Sequence, residues 1–418
     1  MIATNRTLSL ALSALLVAAA SLAACGDDDD SPPGGGAGST SNAGAGATAG
    51  STSNAGSGPQ GGAGGGGAGA GVGGGGGLGG SAGGGGSAGG GSPIVAPDLK
   101  WTWVDVPEAR CRDGSPTGIA VNLNSASSEV MIHLAGGGAC FNAFTCPQNP
   151  SHFDESDFTP PTGGIFNRDD AENPVRGFNF VAVPYCTGDV HAGAEPEGDV
   201  PGVGPQVFVG YKNVSAYLAR LVPTFPAATK VLLTGESAGG FGALANLDQV
   251  QRAFGAAPVT LLDDSGPPLG TDYVPPCLQQ LWRERWGLDA TLLADCGAGC
   301  DDPNDYLTDY ARVLLTRYPN LKGGLVSANA DTTIRTFFGF GANDCALGLP
   351  NMPADLFEAG LLEFRTLAST PPSGFGTFYV DSTDHTWLSA RFGTSVGDTS
   401  LKQWVAELLA GNVSHVGP

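Results

Sequence analysis

The sequence contains little positive charge. Lysine and arginine total 19 residues against 40 aspartates and glutamates, and the formal net charge is −21. A nucleic-acid-binding protein needs a basic patch along the phosphates, and an acidic surface does not steer a polyanion towards a site. The composition therefore argues against nucleic acid as a partner.

Histidine is also scarce, with five residues in the whole chain. Cys296 and Cys300 form a close pair, but a structural zinc site needs a second close pair or nearby histidines, and the sequence offers neither. We therefore predict no metal and no organic cofactor. No run of about 20 apolar residues follows residue 25, so we do not expect the chain to span a membrane.

The first 93 residues predict export and a tether. Residues 1–24 combine Arg6 with an apolar run that ends at Cys25, which is typical of a bacterial lipoprotein signal with Cys25 as the lipidated residue. An ordinary signal peptide is the alternative. Residues 25–93 hold four aspartates and then mostly small residues, which cannot repay the entropy of ordering. We expect a flexible linker that holds an exported domain at a bacterial membrane, on the periplasmic face or the cell surface, through the lipid anchor alone.

Residues 94–418 are predicted to form one α/β domain with a net charge of about −18, from 18 basic and 36 acidic residues. Strand-like runs alternate with helical segments, which predicts a mostly parallel central sheet flanked by helices. The predicted strands are 101–106, 118–124, 129–135, 178–184, 230–234, 259–262, 324–328 and 376–381, with the first two at the edge. The predicted helices are 206–221, 241–252, 354–367 and 401–410, and the helical stretch 278–315 is a candidate cap.

The domain holds eight cysteines, an even number in an exported protein, and this predicts disulfide bonds. They are Cys111, Cys140, Cys146, Cys186, Cys277, Cys296, Cys300 and Cys345.

The most informative motif is Gly-x-Ser-x-Gly at residues 235–239. It follows the apolar run 230–234 and precedes a helical segment, which is the arrangement of a nucleophile elbow. Gly235 and Gly239 leave room for a turn too sharp for side chains. The Ser237 hydroxyl would lie at a helix N-terminus, close to backbone N–H groups that can receive an oxyanion. We predict Ser237 as the nucleophile.

A second glycine run, 136–138, follows the predicted strand 129–135. Hydrolases with a nucleophile elbow place further oxyanion donors in this position, and glycine lets the backbone come close to a substrate oxygen. A turn that merely requires positive φ is the alternative, and the elbow downstream favours the catalytic interpretation.

The general base follows by elimination among the five histidines. His133 lies inside a predicted buried strand, and His152 and His415 have no supporting pattern. His191 precedes the nucleophile in the chain and is expected to line the pocket. His385 follows the last predicted strand, as the base does in the order Ser, acid, His.

Asp331 is the favoured acid. It follows the predicted strand 324–328 and falls between Ser237 and His385 in the chain, where it could hold the imidazole tautomer. Asp264, at the end of the strand after the elbow helix, is the alternative acid and otherwise a pocket-lining residue. Strand-end aspartates also cap helices and turns, so the sequence leaves both residues open.

Together these motifs resemble the pectin acetylesterase family, whose animal branch contains carboxylesterases that remove palmitoleate from Wnt proteins. The matching segments keep their order and rough spacing across about 94–410. They are 134–142 with Cys146, 185–189, 235–240, 329–331 and 384–385.

The resemblance implies a Ser–Asp–His esterase on an α/β-hydrolase-like fold, with Ser237, Asp331 and His385 as the triad. It also implies three oxyanion donors, which are the backbone N–H groups of Gly137, Gly138 and Ala238. It implies a Cys140–Cys146 loop and a Cys111–Cys186 bridge, and it leaves the last four cysteines to pair in one of three ways.

Two positions depart from the family pattern. The family commonly carries a tryptophan in the glycine–cysteine segment, and Gly138-Ala139 has none. The usual Asp-x-x-Gln after the acid is here 331–334, which ends in Ile334. Both changes touch the pocket wall, so fold and chemistry transfer better than substrate.

The expected function is a serine carboxylesterase that removes acyl groups, with acetyl favoured, from a polysaccharide or related extracellular ester. The expected partner is therefore an acylated carbohydrate. The alternatives are a feruloyl, polyester or lipid ester, or a non-catalytic stalked surface-binding protein. The sequence makes no prediction of oligomeric state.

Overall fold

A computed structural model describes residues 91–302, 304–346, 351–370 and 374–418. The predicted signal peptide, the predicted lipidation site at Cys25 and nearly all of the predicted linker lie outside the described residues. Within the described ranges, no helix is both long and apolar enough to cross a membrane. Ile94 is the first buried residue of the described chain.

The domain alternates strands and helices. The strands are β1 (Trp101–Arg110), β2 (Pro116–Asn122), β3 (Glu129–Leu134), β4 (Asn179–Val183), β5 (Glu195–Val200), β6 (Gly204–Phe208), β7 (Lys230–Glu236), β8 (Val259–Asp264), β9 (Lys322–Ala328), β10 (Phe375–Val380), β11 (Ser395–Val396), β12 (Thr399–Ser400) and β13 (His415–Val416). The α-helices are α1 (Gly210–Thr224), α2 (Ala238–Phe254), α3 (Pro276–Trp286), α4 (Leu292–Cys296), α5 (Leu307–Arg317), α6 (Thr332–Gly339), α7 (Ala354–Ala368) and α8 (Leu401–Leu409).

Nine strands form one twisted sheet in the order β1-β2-β4-β3-β7-β8-β9-β10-β13. The β1–β2 and β2–β4 pairs are antiparallel, and every other neighbouring pair is parallel. The expectation that β2 is an edge strand is wrong, because β4 pairs with its second side. Only β1 lies at that edge.

The central strands are buried on both faces, as parallel strands between helices must be. In β7, Val231 and Leu233 join the larger apolar cluster together with residues of α1 to α7. Leu232 faces the opposite way and joins a smaller cluster that includes α8 and Trp387. The sheet thus separates two apolar layers, and its strands open at their carboxyl ends into loops.

The predicted helix 206–221 begins too early. Residues 204–208 form β6 instead, paired antiparallel with β5 in a separate hairpin, and the helix starts at Gly210. The Gly210 N–H donates to Asp189 Oδ2 at 2.7 Å, a partner that only the tertiary fold supplies. The stretch 278–315, predicted to be helical, holds α4 and most of α3 and α5.

All eight cysteines of the domain are paired. Two of the bonds, Cys111–Cys186 and Cys140–Cys146, are those that the family resemblance implies. The remaining four cysteines form Cys277–Cys345 and Cys296–Cys300.

We expect the Cys111–Cys186 bond to contribute more stability than the Cys296–Cys300 bond. The two bonds close segments separated by 75 and 4 residues, and the loss of unfolded-chain entropy grows with that length, to about 4–5 and about 2 kcal/mol respectively. The Cys111→Ala/Cys186→Ala variant should therefore unfold at a lower guanidinium concentration than the matched Cys296→Ala/Cys300→Ala variant. Equal midpoints would contradict the entropic origin of the difference.

Candidate active site

Ser237 lies in the sharp turn between β7 and α2. Its φ of 57° and ψ of −119° fall outside the regions that a non-glycine residue normally occupies. The turn requires the flanking glycines: a Cβ on Gly239 would lie 1.9 Å from the Leu134 carbonyl oxygen, and one on Gly235 would lie 2.3 Å from the Gly239 oxygen. The Gly-x-Ser-x-Gly segment thus has the geometry of a nucleophile elbow.

The glycine run 136–138, which we call the glycine loop, lies directly beside the serine. It continues from β3, which pairs in parallel with β7, and a Cβ on Gly136 would lie 3.1 Å from the Ser237 Cβ. Gly137 and Gly138 have φ of 154° and 82°. Within the described chain, their N–H groups and that of Ala238 donate no hydrogen bond. These three groups are therefore available to a ligand oxygen.

His385 and Asp331 meet at the same edge of the sheet. Asp331 follows β9 and caps α6, where its Oδ1 accepts from the Ile334 N–H at 2.9 Å. Its Oδ2 lies 2.7 Å from His385 Nδ1. This contact places the imidazole proton on Nδ1 and leaves Nε2 as the acceptor. Nε2 is buried and has no hydrogen-bond partner among the described residues.

Asp264, the alternative acid, has another role. It is fully buried, and its Oδ2 accepts from the backbone N–H groups of Trp387 and Leu388 at 2.7 and 2.8 Å. Its carbonyl oxygen accepts from the Ser237 N–H at 2.7 Å. Asp264 therefore joins the elbow to the loop that carries His385. It does not contact the imidazole, and it does not line the cavity described below.

Glu236 supports the same loop. Its carboxylate accepts from the backbone N–H and the hydroxyl of Ser389, and it lies 3.6 Å from His133 Nε2. Burial opposes its charge, but His133 and Ser389 hold the pKa of Glu236 below its ordinary value. Burial, reinforced by the charge of Glu236, raises the pKa of Asp264 well above its ordinary value. Asp264 is thus the weaker acid of the pair.

His191 does not line the cavity, contrary to the sequence prediction. Asp189, two residues earlier in the chain, is buried. Its carboxylate accepts hydrogen bonds from the His191 N–H at 3.1 Å and from the Thr187 hydroxyl at 2.6 Å. These bonds fold the loop inward, and the imidazole packs against Tyr185 with ring centroids 4.7 Å apart. Its Nε2 donates to the Ala135 carbonyl at 2.9 Å.

Two other histidines, His133 and His152, have surroundings unrelated to Ser237. His133 is buried in β3, in edge contact with Phe166. His152 is close to Asp154 and Asp157 in an arrangement that could hold a cation. Its side chain is half exposed and bonds to Ser115, so nothing there indicates a ligand.

An apolar cavity extends from Ser237, Gly138 and Ala238. The helices α2 to α6 and the segment before α5 form most of its wall. Their aromatic lining residues are Phe241, Trp282, Trp286, Tyr306, Tyr310, Phe337 and Phe338.

The polar atoms of this wall are largely satisfied within the protein. Trp286 Nε1 donates to the Cys140 carbonyl at 2.9 Å, and the hydroxyls of Tyr306 and Tyr310 donate to the carbonyls of Gln279 and Ala245. The cavity therefore presents chiefly ring carbons and aliphatic groups to a ligand. Sequence reasoning missed this wall, although the aromatic residues at 282 and 286 have the spacing of one helix face.

A sharp serine turn, a paired histidine and aspartate, and a glycine loop at the carboxyl edge of a parallel sheet define a class, the α/β-hydrolase-like proteins. Residues 97–284 match the family model for pectinacetylesterase. The chain is therefore related to the pectin acetylesterase family, which confirms the relation predicted from the motifs.

Individual relatives agree with this assignment. Palmitoleoyl-protein carboxylesterase NOTUM of Mus musculus is 33% identical over 169 residues, which cover 37% of this chain and 33% of that protein. The Homo sapiens protein of the same name is 33% identical over 172 residues, with 37% and 34% covered. The chain thus spans about a third of the length of these curated relatives.

The fold comparison reaches further along the chain. The structure of the Wnt deacylase Notum from Drosophila superposes with a TM-score of 0.58 at 21% identity, covering 77% of this chain and 96% of that one. This confirms the predicted α/β-hydrolase-like fold. The family match covers Ser237 and the glycine loop but ends before Asp331 and His385. The roles of all these residues stay predictions supported by geometry.

We expect His191 to make the fold sensitive to acid. Burial, helped by the nearby His133, lowers the pKa of His191 from 6.5 to about 4. Between pH 6.5 and about 4, the unfolded chain therefore protonates His191 while the folded chain does not. The folding stability is retained above pH 6.5 and decreases as the pH falls towards 4. The total loss is about 3 kcal/mol.

Urea unfolding of the His191→Gln variant at pH 7, 5.5 and 4.5 measures this contribution. Glutamine keeps a donor for Ala135 but does not titrate, so the decline of unfolding free energy with acid should be shallower than in the wild type. His152→Gln, at a half-exposed histidine, is the control and should leave the steep decline intact. Parallel curves for His191→Gln and the wild type would refute this assignment.

Proposed function

We propose that the chain is a serine carboxylesterase that works through an acyl-enzyme. The observation that carries this proposal is the 2.7 Å contact between Asp331 and His385 Nδ1, at the sheet edge where Ser237 occupies a strained elbow. Asp331 fixes the tautomer in which His385 Nε2 can take a proton, and it stabilises the imidazolium that results.

In the proposed reaction, His385 Nε2 accepts the proton of the Ser237 hydroxyl, and Oγ attacks the ester carbonyl carbon. The oxyanion that forms is stabilised by three backbone N–H groups, those of Gly137, Gly138 and Ala238. The tetrahedral intermediate expels the alcohol, which takes the proton from His385. Water, deprotonated by the same nitrogen, then attacks the acyl-enzyme and releases the acid. No step requires a cofactor.

The cavity favours an apolar acyl group over the acetyl group expected from the sequence. An acetyl group would occupy only the region next to Ser237, whereas a longer chain would bury its methylenes against Trp282, Trp286 and Phe338. Each buried methylene contributes about 0.8 kcal/mol. The alcohol portion lies towards the open mouth and is less constrained, so an acylated carbohydrate or another extracellular alcohol fits equally there.

The compartment is part of the proposal. Four disulfide bonds favour an oxidising environment, in keeping with export and with an anchor at Cys25. The substrate is then an ester outside the cytoplasm.

The first test is hydrolysis of p-nitrophenyl acetate, butyrate and octanoate by the full chain. We expect kcat/KM to rise about fourfold for each added methylene until the cavity is filled, because ~0.8 kcal/mol corresponds to that factor. Activity should fall to background in Ser237→Ala and persist in Ser215→Ala, a matched change at an exposed serine of α1.

Each outcome decides between named alternatives. A preference for acetate would support the acetyl esterase predicted from the sequence. Background rates in folded wild type and Ser237→Ala alike would reject the esterase and favour the stalked binding protein.

A second test separates the two candidate acids. Asp331→Asn keeps the shape of the side chain but stabilises the wrong imidazole tautomer, so kcat should fall by about 10³–10⁴-fold. Asp264→Asn should cost far less in kcat, because an asparagine oxygen can still accept from Trp387 and Leu388. Both losses are measured as kcat at saturating p-nitrophenyl butyrate, and circular dichroism confirms that each variant is folded. A larger loss in Asp264→Asn would reverse the assignment.

A further inference from the structure

The glycine loop is held by side chains on its carbonyl side. Asn149 Nδ2 donates to the Gly137 carbonyl, and the Tyr185 hydroxyl donates to the Gly138 carbonyl at 2.9 Å. Just upstream, His191 Nε2 donates to the Ala135 carbonyl. Three of the four carbonyls from residue 135 to 138 therefore have a side-chain donor.

These bonds fix which way the peptide groups point. A peptide plane carries its C=O and the following N–H on opposite sides, so a bond to the Gly137 carbonyl also orients the Gly138 N–H. The Tyr185 bond to the Gly138 carbonyl orients the next N–H, that of Ala139, so the two bonds together fix both peptide groups that flank the Gly138 Cα. The N–H groups of Gly137 and Gly138 donate nothing within the described chain. Because glycine has few steric restraints, the loop backbone alone would not hold this orientation.

Tyr185 contacts the glycine loop through both its ring and its hydroxyl. Its ring packs so closely that a Cβ on Gly137 would lie 2.8 Å from Tyr185 Cδ1. Its hydroxyl accepts from the Val190 N–H at 2.9 Å while it donates to Gly138. The ring is almost completely buried, with 3% of its surface exposed. The hydroxyl therefore has one orientation, and its proton is committed to the glycine loop.

The support of Tyr185 is itself rigid. Val190 and His191 both have positive φ, 50° and 58°, a conformation that persists only where surrounding contacts enforce it. The buried Asp189 supplies those contacts by accepting from the His191 N–H and from the Gly210 N–H at the start of α1. The glycine loop is thus linked through Tyr185 to a helix terminus of the scaffold.

We propose that Asn149, Tyr185 and His191 are positioning residues that hold the backbone of the glycine loop: Asn149 orients the Gly138 N–H directly, and Tyr185 and His191 fix the peptide groups on either side of the oxyanion-binding donors. This inference rests on the proposed esterase function. The three side chains do not touch the substrate. They act by fixing the backbone donors before the oxyanion forms, so the benefit is confined to the transition state.

The test compares Tyr185→Phe with the wild type on p-nitrophenyl butyrate. Phenylalanine keeps the ring against Gly137 and removes only the hydroxyl. We expect kcat to fall at least about tenfold with KM changed less than about threefold, since removal of an oxyanion donor itself costs about 10²–10³-fold. The affinity for a trifluoromethyl ketone, which forms a tetrahedral oxyanion with Ser237, should weaken by a similar factor.

Tyr379→Phe is the matched control. The Tyr379 hydroxyl is also buried and also donates to a carbonyl, that of Leu361, at 2.9 Å, but it lies in β10 away from the glycine loop. It should lower the melting temperature as Tyr185→Phe does and leave kcat and inhibitor affinity unchanged. Asn149→Leu, which removes the donor to Gly137, is the second variant and should repeat the loss of kcat if Tyr185→Phe does not fold.

The outcomes separate this inference from the function on which it rests. If the wild type shows no hydrolysis that depends on Ser237, both are rejected. If the wild type hydrolyses butyrate and a folded Tyr185→Phe or Asn149→Leu variant keeps kcat and ketone affinity within twofold of it, the esterase stands and the positioning role is overturned.

Discussion

The close approach of two strand ends is the constraint on which the site depends. At the elbow, Gly239 is pressed against the Leu134 carbonyl so tightly that no Cβ fits between them. The same contact fixes the glycine loop, since Leu134 is the last residue of β3 and Gly136 lies against Ser237. The proposed nucleophile and the backbone proposed to bind the oxyanion are therefore brought together by main-chain packing, before any side chain is considered.

The remaining functional groups reach this point because the sheet is parallel from β4 to β10. Its carboxyl ends share one edge, where ligand-binding groups collect. In the register of β7 and β8, Glu236 lies opposite Asp264, and the two carboxylates hold the backbone of the loop from Trp387 to Ser389. Two buried acids outside the cavity thus hold the segment that follows His385, and Asp264 is the weaker acid of the two.

Local patterns in the sequence predicted the parts of this site that depend on backbone geometry. The glycines at 235 and 239 and the strand before them indicate an elbow without knowledge of the fold. The partners of Asp264 and the donors to the glycine loop were not predictable, because Asn149 and Tyr185 meet that loop only through tertiary packing. The early start assigned to α1 failed for the same reason: pairing of β6 with β5 overrides the helical tendency of residues 206–208.

The cavity wall beside Gly138 is aromatic although the glycine–cysteine segment carries no tryptophan. The family commonly has a tryptophan in the glycine–cysteine segment, and this chain has Gly138-Ala139 there. In this fold the space beside Gly138 is occupied from the other side, since a Cβ at that position would lie 3.3 Å from Cζ of Phe337 in α6. Phe141 packs edge-on against the same ring. The aromatic surface of the cavity comes chiefly from α3, α5 and α6, so its shape depends on helices beyond the glycine loop.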